Sequence, residues 1–318
     1  MKVFKGDLLM FEGKDYWKNY MVNWFGEELI NKWYELVTED YIDSNGKKLH
    51  LEVYDSGNPE ATTIIFSHGI AGYARVLLPF TIPLREKGYN LVVPDLQGYG
   101  YNEGIKGNFE WNAHVTNLID VVEYTKKKFN GKIVLGGASM GGPIAYDAAC
   151  QCDGIDGLVC WCLWDFNDKE FMLKETNTKG LTYLLIPFFK IGSLVFGNLR
   201  LKTTRLISYD TLTASQEMNN LVKKDPQAGT HITLKGAASL ILQSNPEISH
   251  EKFDLPVLVF QPGEDRMIPK YYVKKTYDKL GSKNKNYIEL QGANHFPIEK
   301  KYYSKWAKET DEFLQDLI

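Results

Sequence analysis

Lys132-Ile133-Val134-Leu135-Gly136-Gly137-Ala138-Ser139-Met140-Gly141-Gly142 is the stretch that decides how this chain is read. The apolar run Ile133-Val134-Leu135 has the make-up of a buried strand, and the segment Gly141 to Cys150 is compatible with a helix. Between them lies Gly137-Ala138-Ser139-Met140-Gly141, the only G-x-S-x-G in the sequence. Strand, sharp turn and helix form the context in which this pentapeptide presents a nucleophilic serine. Side chains at the glycine positions would collide with the neighbouring strand or helix. The turn also sets the hydroxyl at a helix N-terminus, beside backbone N–H groups and the positive end of the dipole. Ser139 is therefore the candidate nucleophile.

A serine hydroxyl attacks only when a base removes its proton. The chain has six histidines, at 50, 68, 114, 231, 250 and 295. Only His295 falls in a loop just after the last expected strand, in Gly292-Ala293-Asn294-His295-Phe296-Pro297. Such a loop opens on the same edge of a parallel sheet as Ser139. His50 belongs to an early hairpin, His114 starts a helix, and His231 and His250 lie in or beside an inserted segment. The imidazole needs a carboxylate to fix its tautomer and to stabilise the cation. Asp265 follows the strand Val257-Leu258-Val259-Phe260 and fits that place, with Glu264 as the rival. Ser, acid, His is also the chain order of the fold in which this elbow occurs. For the oxyanion, Met140 N–H follows the nucleophile directly, and Ile70 N–H lies in His68-Gly69-Ile70-Ala71-Gly72, where Gly69 lets the backbone approach. His68 itself reads as a structural hydrogen-bonder of that loop.

Outward from the elbow the pattern repeats. Strands are expected at Thr63 to Ser67, Leu91 to Pro94, Lys132 to Gly136, Gly157 to Trp164, Pro256 to Gln261 and Tyr287 to Leu290. Helices are expected near Arg75 to Lys87, Trp111 to Phe129, Gly141 to Cys150, Tyr271 to Leu280 and Tyr302 to Leu317. Short apolar strands alternating with helices imply an α/β fold with a parallel sheet covered on both faces. Ahead of this, Tyr41 to Tyr54 reads as a hairpin turning at Asn45-Gly46. Residues 1–40 carry Trp17, Met21, Trp24, Phe25, Leu29, Trp33, Leu36 and Val37 at helical spacing, broken near Gly26, and form a helical N-terminal arm. The α/β core is expected over 41–165 and 251–318, in an eight-stranded, mostly parallel sheet. Residues 166–250 break the alternation and read as a helical cap over the carboxyl ends of the strands.

Composition bounds what remains. The 318 residues are 44% hydrophobic and 24% charged, in the range of ordinary globular proteins. A net charge of −3 and a pI near 6.1 give no basic footprint for nucleic acid. Met1 to Lys14 is interrupted by Lys2, Lys5, Asp7, Glu12 and Lys14, so no signal peptide is expected. No run approaches the length of a membrane span. A cytoplasmic enzyme without stable membrane insertion is the expectation. The four cysteines form two C-x-C pairs, Cys150/Cys152 and Cys160/Cys162, unlike the C-x2-C knuckles of zinc sites. They read as buried reduced thiols, with no metal and no cofactor.

His68-Gly69, Asp95-Leu96-Gln97-Gly98-Tyr99-Gly100, Gly137 to Gly142, Asp265 and His295 together resemble the α/β-hydrolase superfamily. They are most similar to its branch of monoacylglycerol lipases, lysophospholipases and serine aminopeptidases. The resemblance implies oxyanion donors after His-Gly and after the serine, which maps onto Ile70 and Met140. Gln97 and Asn102 stand where that branch often has arginine and serine. A carboxylic ester hydrolase is expected, acting on a monoacylglycerol- or lysophospholipid-like or other small acyl ester, with Leu184, Leu185, Ile186, Phe188, Phe189, Leu194, Val195 and Phe196 lining an acyl pocket. An amide, peptide or lactone hydrolase is the alternative. An aminopeptidase needs a cap carboxylate for the substrate ammonium, and Glu170, Glu175 and Glu217 are available. A non-catalytic binding protein is disfavoured by the complete set of site residues. A dehalogenase or epoxide hydrolase is disfavoured because those carry Asp where Ser139 stands.

Overall fold

The computed structural model describes residues 3–5, 8–174, 190–205 and 207–317. Glu175, Leu184, Leu185, Ile186, Phe188 and Phe189 lie outside the described residues. The chain opens with a small hairpin, β1 (Val3–Lys5) against β2 (Leu8–Met10). Two helices follow, α1 (Lys18–Phe25) and α2 (Glu27–Leu36), separated at Gly26 as the spacing predicts. Then come β3 (Thr38–Ser44), β4 (Lys47–Tyr54), β5 (Thr63–Ser67), α3 (Leu78–Glu86), β6 (Asn90–Pro94), α4 (Trp111–Lys128), β7 (Ile133–Ala138), α5 (Gly141–Ala149) and β8 (Gly157–Trp161). The inserted segment contains α6 (Lys169–Lys174), α7 (190–196), β9 (Arg200–Lys202), α8 (Gln216–Val222), β10 (His231–Thr233) and α9 (Leu234–Leu242). The alternation resumes with β11 (Val257–Pro262), α10 (Lys270–Lys279), β12 (Lys285–Leu290) and α11 (Lys300–Gln315).

The main sheet has eight strands in the order β12-β11-β8-β7-β5-β6-β4-β3. Five of its pairings are parallel, and only β3/β4 and β4/β6 are antiparallel. Every residue of β5, β6, β7, β8 and β11 is buried. Successive side chains of a strand point to opposite faces, so full burial requires cover on both. Helices α3 and α11 pack together on one face, and α4 and α5 on the other. Phe80, Trp161, Phe260 and Trp306 interlock in the core, and the Trp306 indole donates to Phe80 O at 3.1 Å.

Several expectations are corrected. The strand expected to reach Trp164 ends at Trp161, because Cys162 takes a left-handed backbone (φ 68°) that no strand accommodates. Cys160 on β8 and Cys162 beyond its end therefore do not share a strand face; all four cysteines are free, with Cys160 and Cys162 buried and Cys150 and Cys152, expected buried, only partly so. The sheet begins at Thr38, where Thr38 pairs with Val53, ahead of the hairpin start expected at Tyr41. The helix expected from Arg75 opens as a 3-10 turn over Ala74–Leu77. Leu194, Val195 and Phe196, expected in an acyl pocket, are 81%, 68% and 65% exposed on α7. Among the described residues no helix is long and apolar enough to cross a membrane.

Candidate active site

Ser139 stands between β7 and α5 with φ 56°, a conformation β-carbon-bearing residues rarely adopt. The sharp reversal works because nothing projects from its flanks. A Cβ on Gly137 would lie 2.4 Å from the Gly141 carbonyl, and one on Gly141 would lie 2.6 Å from Ser67 O. Ser139 N–H donates to Trp161 O at 2.8 Å, which fixes the elbow against the neighbouring strand. The Ser139 hydroxyl has no hydrogen-bond partner among the described residues, His295 included.

Asp265 and His295 come from the loops after β11 and β12, at the same carboxyl edge of the sheet as Ser139. His295 Nδ1 and Asp265 Oδ2 are 2.7 Å apart, and both residues are buried. The other carboxylate oxygen, Oδ1, accepts Met267 N–H at 2.8 Å and Ile268 N–H at 2.9 Å. Backbone hydrogen bonds stitch the two loops together: Gly263 N–H donates to Leu290 O and Glu264 N–H to Ala293 O, each at 2.9 Å. Since its backbone N–H serves this seam and its side chain is exposed, Glu264 is not the partner of His295.

Two contacts were not anticipated. The Trp161 indole N–H donates to His295 O at 2.9 Å while the Trp161 carbonyl accepts Ser139 N–H. One residue on β8, the strand between β7 and β11, thus holds the main chain of both the serine and the histidine. The Cys162 thiol lies 3.5 Å from Asp265 Oδ2, brought there by its left-handed backbone. Burial, and then the Asp265 charge, push that thiol well above its ordinary value, so it remains a neutral donor. Cys162, Asp265 and His295 present ligand-type atoms within 4.8 Å of one another, and the hydrogen bonds just described account for that clustering. No simple pattern marks Trp161 or Cys162, because both contacts depend on where the neighbouring strands end.

The loop after β5 closes over the elbow. Gly69 lies so near that a Cβ there would be 3.2 Å from Ser139 Oγ. Leu96 N–H donates to His68 Nε2 at 2.9 Å, so the proton sits on Nδ1 and is donated to Gly69 O at 2.8 Å. Burial lowers the proton affinity of His68, which stays neutral and structural. The backbone N–H groups of Ile70 and Met140 have no acceptor among the described residues. Asp95, at the end of β6, accepts Ala74 N–H at 2.7 Å, Tyr101 N–H at 2.7 Å and His50 Nδ1–H at 2.8 Å, and so secures the far end of this loop. Of the carboxylates of the inserted segment, Glu170 is paired with Lys174 at 2.8 Å and Lys275 at 3.5 Å.

Known proteins resemble this chain in sequence and in fold. Phospholipase YtpA of Bacillus subtilis is 25% identical over 236 residues, covering 73% of this chain and 86% of its own. A carboxyl esterase of Bacillus coagulans, 14% identical, superposes with a TM-score of 0.74 over 89% of this chain and 99% of its own. The monoacylglycerol lipase of Paleococcus ferrophilus, 18% identical, superposes with a TM-score of 0.67 over 85% and 99%. The family described as serine aminopeptidase, S33, matches residues 58–299. This chain accordingly belongs to that family, an α/β hydrolase on the branch that holds the monoacylglycerol lipases and lysophospholipases.

Proposed function

We propose that the protein is a serine esterase that cleaves a carboxylic ester, of monoacylglycerol-, lysophospholipid-like or other small acyl type, through an acyl-enzyme. The observation that carries this is one sheet edge with Ser139 strained at φ 56°, the Asp265–His295 pair at 2.7 Å, and Trp161 bonded to both sides. In this reading Ser139 Oγ attacks the ester carbonyl carbon while His295 Nε2 takes the hydroxyl proton, with Asp265 stabilising the imidazolium. The carbonyl oxygen becomes an oxyanion that accepts from Ile70 N–H and Met140 N–H. The imidazolium then protonates the leaving alcohol. Water, deprotonated by His295, attacks the acyl-enzyme, releasing the acid and restoring Ser139. The Ser139–His295 hydrogen bond forms as substrate closes the site, as is common for catalytic contacts that are open without ligand.

In the same reading residues 166–250 are a cap over the strand ends, residues 1–40 an arm, and 41–165 with 251–318 the hydrolase core. The phospholipase relative and the lipase and esterase neighbours favour an ester over an amide. So does the engagement of Glu170 with two lysines, which leaves it occupied rather than open to a substrate ammonium. The test is Ser139→Ala. It should abolish turnover of p-nitrophenyl esters and labelling by a fluorophosphonate while circular dichroism stays unchanged. Residual ester turnover at the wild-type rate in that variant would overturn the proposal.

A further inference from the structure

Outside the Ser139, Asp265 and His295 group, one buried carboxylate joins three segments of chain. Asp225, in the turn after α8, is fully buried. Its Oδ2 accepts the Tyr20 hydroxyl at 2.6 Å and the Tyr73 hydroxyl at 2.7 Å, and its Oδ1 accepts Gln227 N–H at 2.8 Å. Tyr20 lies on α1 in the arm. Tyr73 belongs to the loop after β5, directly after Gly72, whose N–H donates to Gly69 O at 3.1 Å. The two phenols are themselves 3.3 Å apart and both are buried. No cation pairs with Asp225 among the described residues. Its charge is met by neutral donors alone, an arrangement that is costly unless every donor is held in place. Neighbouring contacts run the same way: Tyr16 OH donates to Leu221 O at 3.1 Å, Tyr101 OH to Lys14 O at 2.6 Å, and Gly100 N–H to Gln227 O at 2.9 Å. The family match begins at residue 58, so Tyr20 and its helix lie outside it.

We propose that Asp225 is a positioning residue: with Tyr20 and Tyr73 it locks the inserted segment to the loop that carries Ile70 N–H, and the arm is the bolt of that lock. Tyr73 stands three residues beyond Ile70, so freedom at its hydroxyl becomes freedom of the proposed oxyanion donor. The inference rests on the esterase reading for its catalytic consequence, but not for the lock itself.

The experiment uses the full chain and the variants Tyr20→Phe, Asp225→Asn and the two combined. Backbone hydrogen exchange is followed at 68–74 and 216–227, and kcat and KM for p-nitrophenyl butyrate are measured well below the melting temperature. Tyr20→Phe should speed exchange in both segments together and lower kcat by about 3- to 10-fold, with KM within about two-fold. Asp225→Asn should lower kcat by on the order of 10-fold, and Tyr20→Phe should add almost nothing in that background. Exchange that rises only in the arm overturns the lock. Coupled exchange with kcat unchanged in Asp225→Asn overturns the positioning role, since a merely structural tie moves stability and not kcat. Should the wild type neither turn over esters nor take the fluorophosphonate, the esterase reading is what fails, and the exchange result still decides the lock.

Discussion

An alanine at position 69 would place a methyl carbon 2.8 Å from Ser139 Cβ, 3.0 Å from Ala138 O and 3.2 Å from Ser139 Oγ. Gly69 is not among the residues with positive φ, so its backbone accepts an alanine and the only conflict is spatial. Carbon–carbon contacts settle at about 3.5–4.0 Å, so the loop after β5 and the elbow must part by about 1 Å. One of the three close atoms is the main-chain oxygen of β7, which cannot swing aside. A misplacement of about 1 Å in a reacting constellation costs on the order of 100-fold in rate, equivalent to about 2.7 kcal/mol of barrier. Gly69→Ala should therefore lower kcat/KM for p-nitrophenyl butyrate by about 100-fold and slow fluorophosphonate labelling in parallel, with the circular dichroism spectrum intact. Gly192→Ala is the control, because a Cβ there meets only Leu234 Cδ2 at 3.7 Å. Wild-type kcat/KM in a folded Gly69→Ala protein would refute the reasoning, since the loop would then not bear on the reacting hydroxyl.

Trp161→Phe keeps an aromatic ring beside Phe80 and Phe260 but leaves His295 O without its indole donor. One lost hydrogen bond of about 1 kcal/mol predicts a fall in kcat of about 5-fold, read beside the melting temperature; lowered stability with unchanged kcat would confine Trp161 to packing. Burial holds the proton affinity of His114 down to about 3, against the Gln97 carbonyl that accepts from its Nε2. Its folded value lies below its unfolded one, so its contribution is whole above pH ~6.5 and is lost as pH falls from there toward ~3, by about 1.4 kcal/mol per pH unit. Urea denaturation of His114→Asn between pH 6 and pH 4 should show a slope shallower by about that amount; an identical slope would mean that His114 is protonated in the folded protein as well.

The parallel strands were legible because Ile64, Ile65, Leu91, Val92, Val93, Val134, Leu135 and Val257 to Phe260 stand in short apolar runs that only a sheet covered on both faces can bury. The elbow was legible for a different reason. Glycines on both sides of Ser139 announce a turn that tolerates no Cβ, and this is a local property. The Asp265–His295 contact follows from two loops that leave adjacent parallel strands at the same edge. What escaped notice depends on distance along the chain or on a single torsion. Cys162 reads as a strand residue in Val159-Cys160-Trp161-Cys162-Leu163, yet one left-handed φ turns its thiol onto Asp265. The three-residue pair β9/β10 is too short to produce a periodicity. Tyr20 resembles any buried tyrosine of an amphipathic helix, and nothing near it in sequence points to Asp225.

Tyr20 and its carboxylate partner are 205 residues apart. A ribosome working at about 5–20 residues per second makes the arm on the order of 10–40 s before the residue that receives it. Throughout that interval Tyr16 and Tyr20 lack the carbonyl and the carboxylate they donate to, since Leu221 and Asp225 are still to come, and Phe25 waits longer still for Phe296. These early aromatic side chains of the nascent polypeptide are thus among the last to be seated. Chaperone dependence and aggregation during synthesis should concentrate in this stretch, even though it is well buried once the protein is complete.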